Sequence, residues 1–550
     1  MIQRQQSQNR GFIAGFRCGL VPEHKQFVQI PRLHQSGNLQ RDLANQARTQ
    51  AEVEAETAKQ TTDFMVGLFE VSDPSEARGN TITAREIMDK GANRIENELT
   101  TQPAIQATLM ETMGSVYTSL ALYDQAESLL RSALDKRVAL YGEKHLEVAR
   151  SMDRLGEVLK LRAEYETSET MYRQALALRR EMLGNENTDT AKTIYELADL
   201  LGRKGEFTEA EQLFRESLDL RRKLTGETSP EVAQSLEGLG LNQFDQGNYD
   251  ESVRLLRDAV AMQRELHNEP HPDLANAINN LGFVISDIGE YRESEQLFRE
   301  ALAMNRVLHG DTHTEIATGL NNVAFVLHDQ GAYDEAEVLY REAMDMQKRL
   351  LGDEHPDVAM AMNNLAFLTH EKGDLDAAMQ LARDSLEMYR RTLGNNHPSV
   401  ARSMTNLAMW QLEGGDFESA EPLLREALEL RRTLLGPEHA DVASTMTLLA
   451  DLLIETGRFD EALPLAIDAK NICTKAFGNE HWRTASAASA EGAALAGMKQ
   501  YDAAEPLLVD SVRILSNDTG ALPFFVASAK RWTHDLFREQ GRNDEAARYR

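Results

Sequence analysis

The chain has only two cysteines, Cys18 and Cys473, and it lacks long apolar runs. Two cysteines so far apart supply neither a disulfide framework nor the close pairs typical of zinc sites, and they favour a reducing compartment. No apolar run reaches the roughly 18 residues that a bilayer-spanning helix needs. The one weakly signal-like stretch, residues 11–21, is interrupted by Arg17 and lacks a small-residue cleavage site. The sequence therefore predicts a cytoplasmic protein without membrane insertion.

Basic residues are also scarce. Lys and Arg number 59 against 88 Asp and Glu, so the formal net charge is −29. Proteins that bind nucleic acids or anionic membranes need Lys and Arg to contact phosphates, and this balance argues against both classes. The acidic excess has two explanations that the sequence leaves open. It serves solubility alone, or it forms an acidic surface that recognises a partner.

What the chain does have is a repeat of 42 residues, best seen at residues 270–352. An aromatic or large side chain recurs with this period, at Tyr123, Tyr165, Phe207, Tyr249, Tyr291, Tyr333, Leu375, Phe417, Phe459 and Tyr501. A glycine recurs with the same period, at Gly142, Gly184, Gly226, Gly310, Gly352, Gly394, Gly436 and Gly478, and Asn268 fills the one gap. Such regularity is typical of solenoids, in which each unit buries its apolar face only against its neighbours.

The sequence pattern of each unit predicts two helices, which we call A and B. We predict that helix A begins near a His-Pro-Asp motif. Proline fits the first helical turn, and aspartate fits the positive end of the helix dipole. A small residue occupies the position where two helices must approach closely, namely Gly114, Gly156, Ala198, Gly240, Gly282, Ala324, Ala366, Ala408, Ala450 and Gly492. A Gly-containing turn leads to helix B, whose exposed face is rich in Glu and Arg. We predict ten such pairs over 103–522 and a partial eleventh over 523–550.

The residues before the repeats fall into three parts. Residues 1–38 show no sustained periodicity, so we predict that they are poorly ordered. Small residues step by three or four over 39–71, which predicts one long Ala-rich helix. Residues 72–102 begin with the helix-breaking Pro74 and Gly79, and then Thr83 and Glu86 form a capping box. We therefore predict a linker followed by a capping helix in this third part.

Small residues at fixed places, a turn aromatic and paired helices resemble the tetratricopeptide repeat. Segments such as NNLAFL at 363–368, YDEAEVLYREA at 333–343 and HPDVA at 355–359 are similar to the 42-residue repeats of the kinesin light chain family. The resemblance spans roughly residues 103–522. It implies an all-α fold, a right-handed α-solenoid of stacked antiparallel helix pairs. It says little about biological role, because repeats of this type occur in many unrelated scaffolds.

A second resemblance covers residues 64–99, which read FMVGLFEVSDPSEARGNTITAREIMDKGANRIENEL. They look like the segment that joins kinase to repeats in bacterial serine/threonine kinases with C-terminal tetratricopeptide arrays. The chain contains no Gly-rich phosphate loop, HRD run or DFG run, so it lacks the residues for phosphoryl transfer. No Ser–His–Asp, Cys–His or paired-carboxylate arrangement stands out from the repeat pattern. We therefore predict that the protein is not an enzyme and uses no cofactor.

Asparagines at equivalent positions of four successive A helices are candidate binding residues. This Asn row comprises Asn280, Asn322, Asn364 and Asn406. An amide offers two donors and an acceptor, so a row of amides can hold an extended peptide by its backbone. In the kinesin light chain family, asparagines of this motif contact cargo peptides, and the resemblance implies the same role here. The alternative is that each Asn braces the neighbouring repeat through a hydrogen bond.

Two further rows accompany the asparagines on the A helices. Three residues beyond the first three members of the Asn row lie Phe283, Phe325 and Phe367, and four residues farther lie Asp287, Asp329 and Glu371. Asp245, Glu413 and Glu455 extend this acidic row on both sides. Such a wall suits an extended ligand with apolar and basic side chains, although the phenylalanines also fit an ordinary core between repeats. Kinesin light chains accept acidic peptides in a basic groove, so the cargo type does not transfer.

Histidines also recur with the 42-residue period, at His271, His313, His355, His397, His439 and His481. Two helix layers of roughly 8–10 Å each separate equivalent residues in a stacked array. Zinc ligands lie near 2 Å from the metal, so no two equivalent histidines can share an ion. We predict no metal site and assign these histidines to the turn between repeats.

Three hypotheses about function follow from the sequence. The leading one is a non-catalytic scaffold whose concave A-helix face binds an extended segment of another protein. The second is a regulatory or substrate-recruiting arm of a bacterial serine/threonine kinase whose catalytic domain is absent from this chain. The third is self-association, because the partial eleventh unit could expose an apolar end.

Overall fold

In a computed structural model, residues 84–518 and 520–550 are described, and all of their regular secondary structure is helical. The sequence predictions for 1–38 and 39–71, and for the linker that includes Thr83, lie outside these residues. The first described helix is α1, Ala84–Glu98.

The remaining helices alternate between A and B along the chain. The A helices are α2 (Pro103–Ser119), α4 (Leu146–Leu161), α6 (Thr188–Arg203), α8 (Pro230–Asp245), α10 (Pro272–Asp287), α12 (Thr314–Asp329), α14 (Pro356–Glu371), α16 (Pro398–Glu413), α18 (Ala440–Glu455), α20 (Trp482–Gly497) and α22 (Pro523–Glu539). The B helices are α3 (Tyr123–Tyr141), α5 (Tyr165–Leu183), α7 (Phe207–Thr225), α9 (Tyr249–Leu266), α11 (Tyr291–His309), α13 (Tyr333–Leu351), α15 (Leu375–Leu393), α17 (Phe417–Leu435), α19 (Phe459–Phe477), α21 (Tyr501–Asn517) and the short α23 (Asn543–Ala546). A 3₁₀ turn, Ala547–Tyr549, follows α23.

The recurring histidines start the A helices. In His145, His271, His313, His355, His397, His439 and His481, Nδ1 accepts a hydrogen bond of 3.0–3.2 Å from the backbone N–H two residues onward. Asn187 and Ser229 take the same role at α6 and α8. These side chains satisfy one of the orphan donors at each helix start. The assignment of the histidines to the turn between repeats is thus correct.

The small position of helix A lets helix B pack closely against it. A Cβ built on Gly282 would lie 2.9 Å from Cε1 of Phe298, and one on Gly156 would lie 3.0 Å from Cζ of Tyr172. Both aromatic side chains are at most 2% exposed. Glycine therefore makes room where the facing B-helix residue is large, as the sequence pattern predicts.

The A helices form the inner face of the stack and the B helices the outer face. Side chains of successive A helices contact each other directly, as in the 2.9 Å hydrogen bond from Asn364 to Asn321. Successive B helices are joined by ion pairs between long side chains, such as Arg257–Glu293 (2.9 Å) and Arg264–Glu300 (2.8 Å). Exposed pairs of this kind contribute about 0–1 kcal/mol each, so buried contacts between helices supply most of the stability. This arrangement confirms the predicted α-solenoid of stacked antiparallel pairs.

Residues of early and late repeats also contact each other. Nε2 of His397 lies 3.3 Å from the carbonyl oxygen of Leu161, and Nε2 of His481 lies 3.4 Å from the hydroxyl of Tyr249. These partners are separated by 236 and 232 residues. The ring of His439 lies against Gly205 at the equivalent place. We call these contacts the inter-turn seam, because they join successive turns of the solenoid.

Candidate functional site

The inner face of α8, α10 and α12 lines an open cavity of about 620 Å³. Four of the predicted residues line it together, namely Asn280, Phe283, Asn322 and Phe325. Further lining comes from Tyr195, Gln234, Glu237, Asn276, Asn279, Phe298, Glu315, Thr318 and Asn321. The 42-residue period places equivalent side chains side by side, so amides and phenylalanines of neighbouring repeats meet in one space.

The Asn row makes a chain of hydrogen bonds from each repeat to the one before it. Nδ2 of Asn364 donates to Oδ1 of Asn321 at 2.9 Å, and Nδ2 of Asn322 donates to Oδ1 of Asn279 at 3.4 Å. Equivalent bonds run from Asn406 to Asn363 (3.3 Å) and from Asn280 to Glu237 (3.1 Å). The bracing role that the sequence left open is therefore present.

Bracing uses only part of each amide. Members of the Asn row are partly exposed, whereas their acceptors Asn321 and Asn363 are 9% exposed. Among the hydrogen bonds of the described residues, Oδ1 of Asn322 and Oδ1 of Asn364 accept none. Each amide thus keeps an acceptor and a second N–H for another molecule. Ligand contact by the Asn row stays a prediction.

The three predicted phenylalanines differ in exposure. Phe283 is 45% exposed, and its ring centre lies 5.5 Å from that of Phe244 in an edge-to-face arrangement. Phe325 and Phe367 are partly buried, and Phe367 lies edge-on to the buried Trp410 at 4.8 Å. A large apolar side chain as exposed as Phe283 inside a concave cavity is a common feature of binding sites.

Glu237, which lines the 620 Å³ cavity, is not among the residues that the sequence predicts for the site. It is partly buried and accepts the hydrogen bond from Asn280. Burial raises the pKa of its carboxyl from the usual 4.5 to about 7, although the Asn280 hydrogen bond opposes this shift. A sequence signal was available, because Glu237 lies 42 residues before Asn279. It therefore occupies the position that Asn279, Asn321 and Asn363 take in the following repeats.

The acidic row does not form a single site. Asp287 lines a cavity of about 370 Å³ with Tyr249, Trp482 and Arg513, whereas Glu371 lines one of about 490 Å³. Burial raises the pKa of Asp287, and it raises the pKa of Asp329 to about 7. Asn364 and Asn406 line neither the 620 Å³ nor the 490 Å³ cavity. The structure therefore spreads the predicted site residues over several repeats along one face.

One histidine cluster has the composition of a metal site. Ligand atoms of His267, His271 and Asp273 lie within 4.8 Å of one another. The two imidazoles stack in parallel, 3.6 Å apart at 4°, and Nδ1 of His271 already accepts from the backbone of Asp273. Lone pairs in two parallel ring planes do not converge on one ion. This geometry fits helix capping and ring stacking better than tetrahedral coordination.

Comparison with known families decides the nature of the repeats. The sequence profile of the tetratricopeptide repeat matches residues 105–181, 189–265, 238–306, 315–391, 357–433, 415–469 and 441–517. These matches cover well over half of the chain. The chain belongs to the tetratricopeptide repeat family. No curated protein sequence matches it.

Several solved structures are similar to this repeat array. BtubC (BKLC) from P. vanneervenii is 22% identical with a TM-score of 0.35, and the match covers 42% of this chain and 92% of that one. A putative kinesin light chain from Podospora anserina with nearly identical repeats is 23% identical with a TM-score of 0.32, over 37% and 97% of the two chains. A Rap protein complexed with Competence and Sporulation Factor is 15% identical with a TM-score of 0.46, over 69% and 99%.

No helix among residues 84–518 and 520–550 combines the length and the apolar character that crossing a bilayer requires.

Proposed function

We propose that this tetratricopeptide repeat protein is a non-catalytic scaffold whose inner A-helix face binds an extended segment of another protein. The observation that carries the proposal is the 620 Å³ cavity, in which amides from adjacent repeats stand beside the exposed ring of Phe283. Amides satisfy the backbone of an extended segment without regard to its sequence, and exposed rings bind its apolar side chains. The scarcity of cysteine supports a cytoplasmic setting for this role.

The hydrogen bonds between repeats also favour binding energetically. They hold the amides in fixed positions before any partner arrives, so little ordering of the groove is needed on binding. Affinity then comes from several modest contacts spread over neighbouring repeats. The partner must supply backbone groups to the Asn row and apolar side chains to Phe283 and Phe325.

The test uses 12-residue peptides selected on the intact protein from a random phage-displayed library. The affinity of the selected peptides is then measured by fluorescence anisotropy for Asn322→Ala/Asn364→Ala. We expect the double variant to weaken binding by about tenfold, which corresponds to about 1.4 kcal/mol for two lost polar contacts. Gln380→Ala is the matched control, because Gln380 is an exposed amide on the outer helix α15.

The stability of the double variant is followed by circular dichroism, so that a loss of folding is not taken for a loss of binding. Selected peptides that bind the double variant and the Gln380→Ala control equally well would remove the Asn row from the proposal.

Self-association through the last repeat remains a separate hypothesis. In the described part of the chain, the end of α22 is covered: Phe537 is 2% exposed, Tyr549 stacks on it at 5.6 Å, and the guanidinium of Arg542 lies 4.3 Å from its ring centre. These contacts reduce the apolar surface at the end of α22, so they weigh against self-association through this repeat. Sedimentation over a concentration range measures this directly.

A further inference from the structure

A second cavity on the same inner face lies between α14, α16, α18 and α22 and measures about 490 Å³. Aromatic side chains form much of its lining, among them Phe367, Trp410, Phe417 and Phe524. Its remaining wall carries Glu371, Glu413 and Glu455 from three successive A helices. The cavity therefore combines aromatic surface with clustered negative charge.

The three glutamates have little positive charge around them. Glu455 is paired with Arg531 at 2.6 Å. Glu413 has an imidazole partner, Nε2 of His370, at 2.8 Å, and Glu371 has the other nitrogen of that ring at 3.9 Å. Among the ion pairs of the described residues, neither of these two glutamates has a Lys or Arg partner. Arg531 is thus the one Lys or Arg side chain paired with any of these three glutamates in the described chain.

The contact at Glu455 shows which chemistry this wall accepts. Oε1 of Glu455 receives hydrogen bonds from Arg531 at 2.6 Å and from the indole N–H of Trp532 at 3.0 Å. The guanidinium carbon lies 6.0 Å from the Trp532 ring centre. A cation and an aromatic ring from adjacent residues therefore occupy one position of the acidic row. At the equivalent Glu413, the imidazole of His370 lies at 2.8 Å and stacks on Trp410 at 5.7 Å, but no Lys or Arg of the described chain pairs with Glu413 or Glu371.

Glu371 and Glu413 share one planar neighbour that has nitrogens on two sides. Nε2 of the His370 imidazole lies 2.8 Å from Glu413, and its Nδ1 lies 3.9 Å from Glu371. Each carboxylate has a second oxygen, and a guanidinium presents five N–H donors in one plane. Guanidinium also stacks on aromatic faces and is weakly hydrated, so it suits this cavity better than the compact lysine ammonium.

Resting on the proposed function, we infer that the 490 Å³ cavity binds an arginine side chain of the partner segment. Its guanidinium pairs with Glu371 and Glu413, and a neighbouring aromatic side chain of the segment packs against Phe367. The partner is therefore a protein segment that carries an aromatic residue next to an arginine, as Arg531 and Trp532 do within this chain.

The test uses three fluorescein-labelled peptides, Ser-Leu-Phe-Xaa-Leu-Ser, in which Xaa is Arg, Gln or Glu. Anisotropy titrations of the full chain should give binding that is about tenfold tighter for the arginine peptide than for the glutamine peptide, and weakest for the glutamate peptide. In Glu371→Gln/Glu413→Gln, the arginine peptide should fall to the level of the glutamine peptide. Glu429→Gln is the control, because Glu429 lies on the outer helix α17 with 73% of its side chain exposed.

Equal binding of the three peptides to the native chain would overturn the inference, and so would an arginine preference that survives in the double variant. If none of the three peptides binds, the inference is also overturned. The proposed function is then tested separately by the phage-selected peptides. Asn322→Ala/Asn364→Ala should weaken all three peptides by the same factor and leave their ratio unchanged. Failure of the Asn row and failure of the arginine pocket are thus distinguished.

Discussion

At the scale of single residues, Glu237 links the stability of the groove to pH. Burial raises the pKa of its carboxyl to about 7, so the folded chain favours the protonated form. The corresponding stability is fully present below pH 4.5, the usual pKa, and is lost as the pH rises through 7. We expect Glu237→Gln, which keeps a neutral polar group, to match the native chain at pH 5. At pH 8 it should be more stable by about 1–3 kcal/mol.

Urea unfolding at the two pH values, followed by circular dichroism, measures this difference. Glu429→Gln on the outer face is the control and should behave as the native chain does at both pH values. If Glu237→Gln gives no advantage at pH 8, the carboxyl is already ionised at low cost and its burial is unimportant.

The sequence predicts the positions of the groove residues better than their contacts. The 42-residue period was enough to place Asn322 and Phe325 on the inner face, because equivalent residues of a solenoid share a face. It could not decide between bracing and ligand contact, since one amide can do both. The period also marks the position of Glu237, but the raised pKa of its carboxyl depends on how deeply neighbouring repeats bury it, and the period does not show this depth.

At the scale of helices, a buried arginine ties each of several B helices to the following A helix. Nη1 of Arg431 in α17 donates to Oγ1 of Thr445 at 2.7 Å and to the carbonyl of Asp441 at 2.8 Å, both in α18. Arg221 makes the same pair of bonds to Ser235 and Glu231. Arg431 is 6% exposed, and this burial lowers the pKa of its guanidinium.

We expect Arg431→Met to destabilise the array by about 2 kcal/mol, because it leaves the buried hydroxyl and carbonyl without their charged donor. Arg425→Met on the same helix is the control: Arg425 has 48% of its side chain exposed and pairs with Glu421 on the surface. The control should change stability by less than about 0.5 kcal/mol. The urea midpoint, together with amide hydrogen exchange in α18, checks both values. Equal effects of the two substitutions would contradict a structural role for the buried arginine.

Close packing within a helix pair gives a second prediction at this scale. A methyl group at position 282 would lie 2.9 Å from the ring of Phe298, closer than van der Waals contact allows. Gly282→Ala should therefore cost about 1–3 kcal/mol through a shift of the helix pair. In Phe298→Leu, where the ring is absent, adding Gly282→Ala should cost less. A double-mutant cycle measures this coupling, and strictly additive effects would show that the contact is not the cause.

The helix pairs themselves were predictable because three local signals agree. A histidine cap, a small residue and a turn glycine recur in the same order in nearly every unit, and each suits the conformation that the helix pair requires. Where one signal changes, the structure compensates locally: Ser229 accepts from the N–H of Val232 where other units have histidine.

At the scale of the whole repeat array, the inter-turn seam could not be foreseen. It joins residues more than 230 positions apart, such as His397 and Leu161. Their meeting depends on small rotations from one repeat to the next that add up over several units. Burial at the seam lowers the pKa of His397 and His439, and it lowers the pKa of His481 to about 4. With the seam formed, these rings are therefore neutral at neutral pH. Nδ1 of each ring then accepts the backbone hydrogen bond that caps its helix.

Gly205 allows a direct test of the seam. Gly205 and Gly331 occupy equivalent turns with φ of +79° and +78°, so alanine meets the same backbone strain of about 1–2 kcal/mol at both. Only at Gly205 would the new Cβ also collide with the seam, 2.6 Å from Cδ2 of His439, whereas the space around Gly331 is open for 4 Å. We expect Gly205→Ala, but not Gly331→Ala, to raise the radius of gyration in small-angle X-ray scattering and to speed amide exchange around His439. Identical scattering from the two variants would mean that successive turns do not rest on each other in solution, and the groove would then be open along its full length.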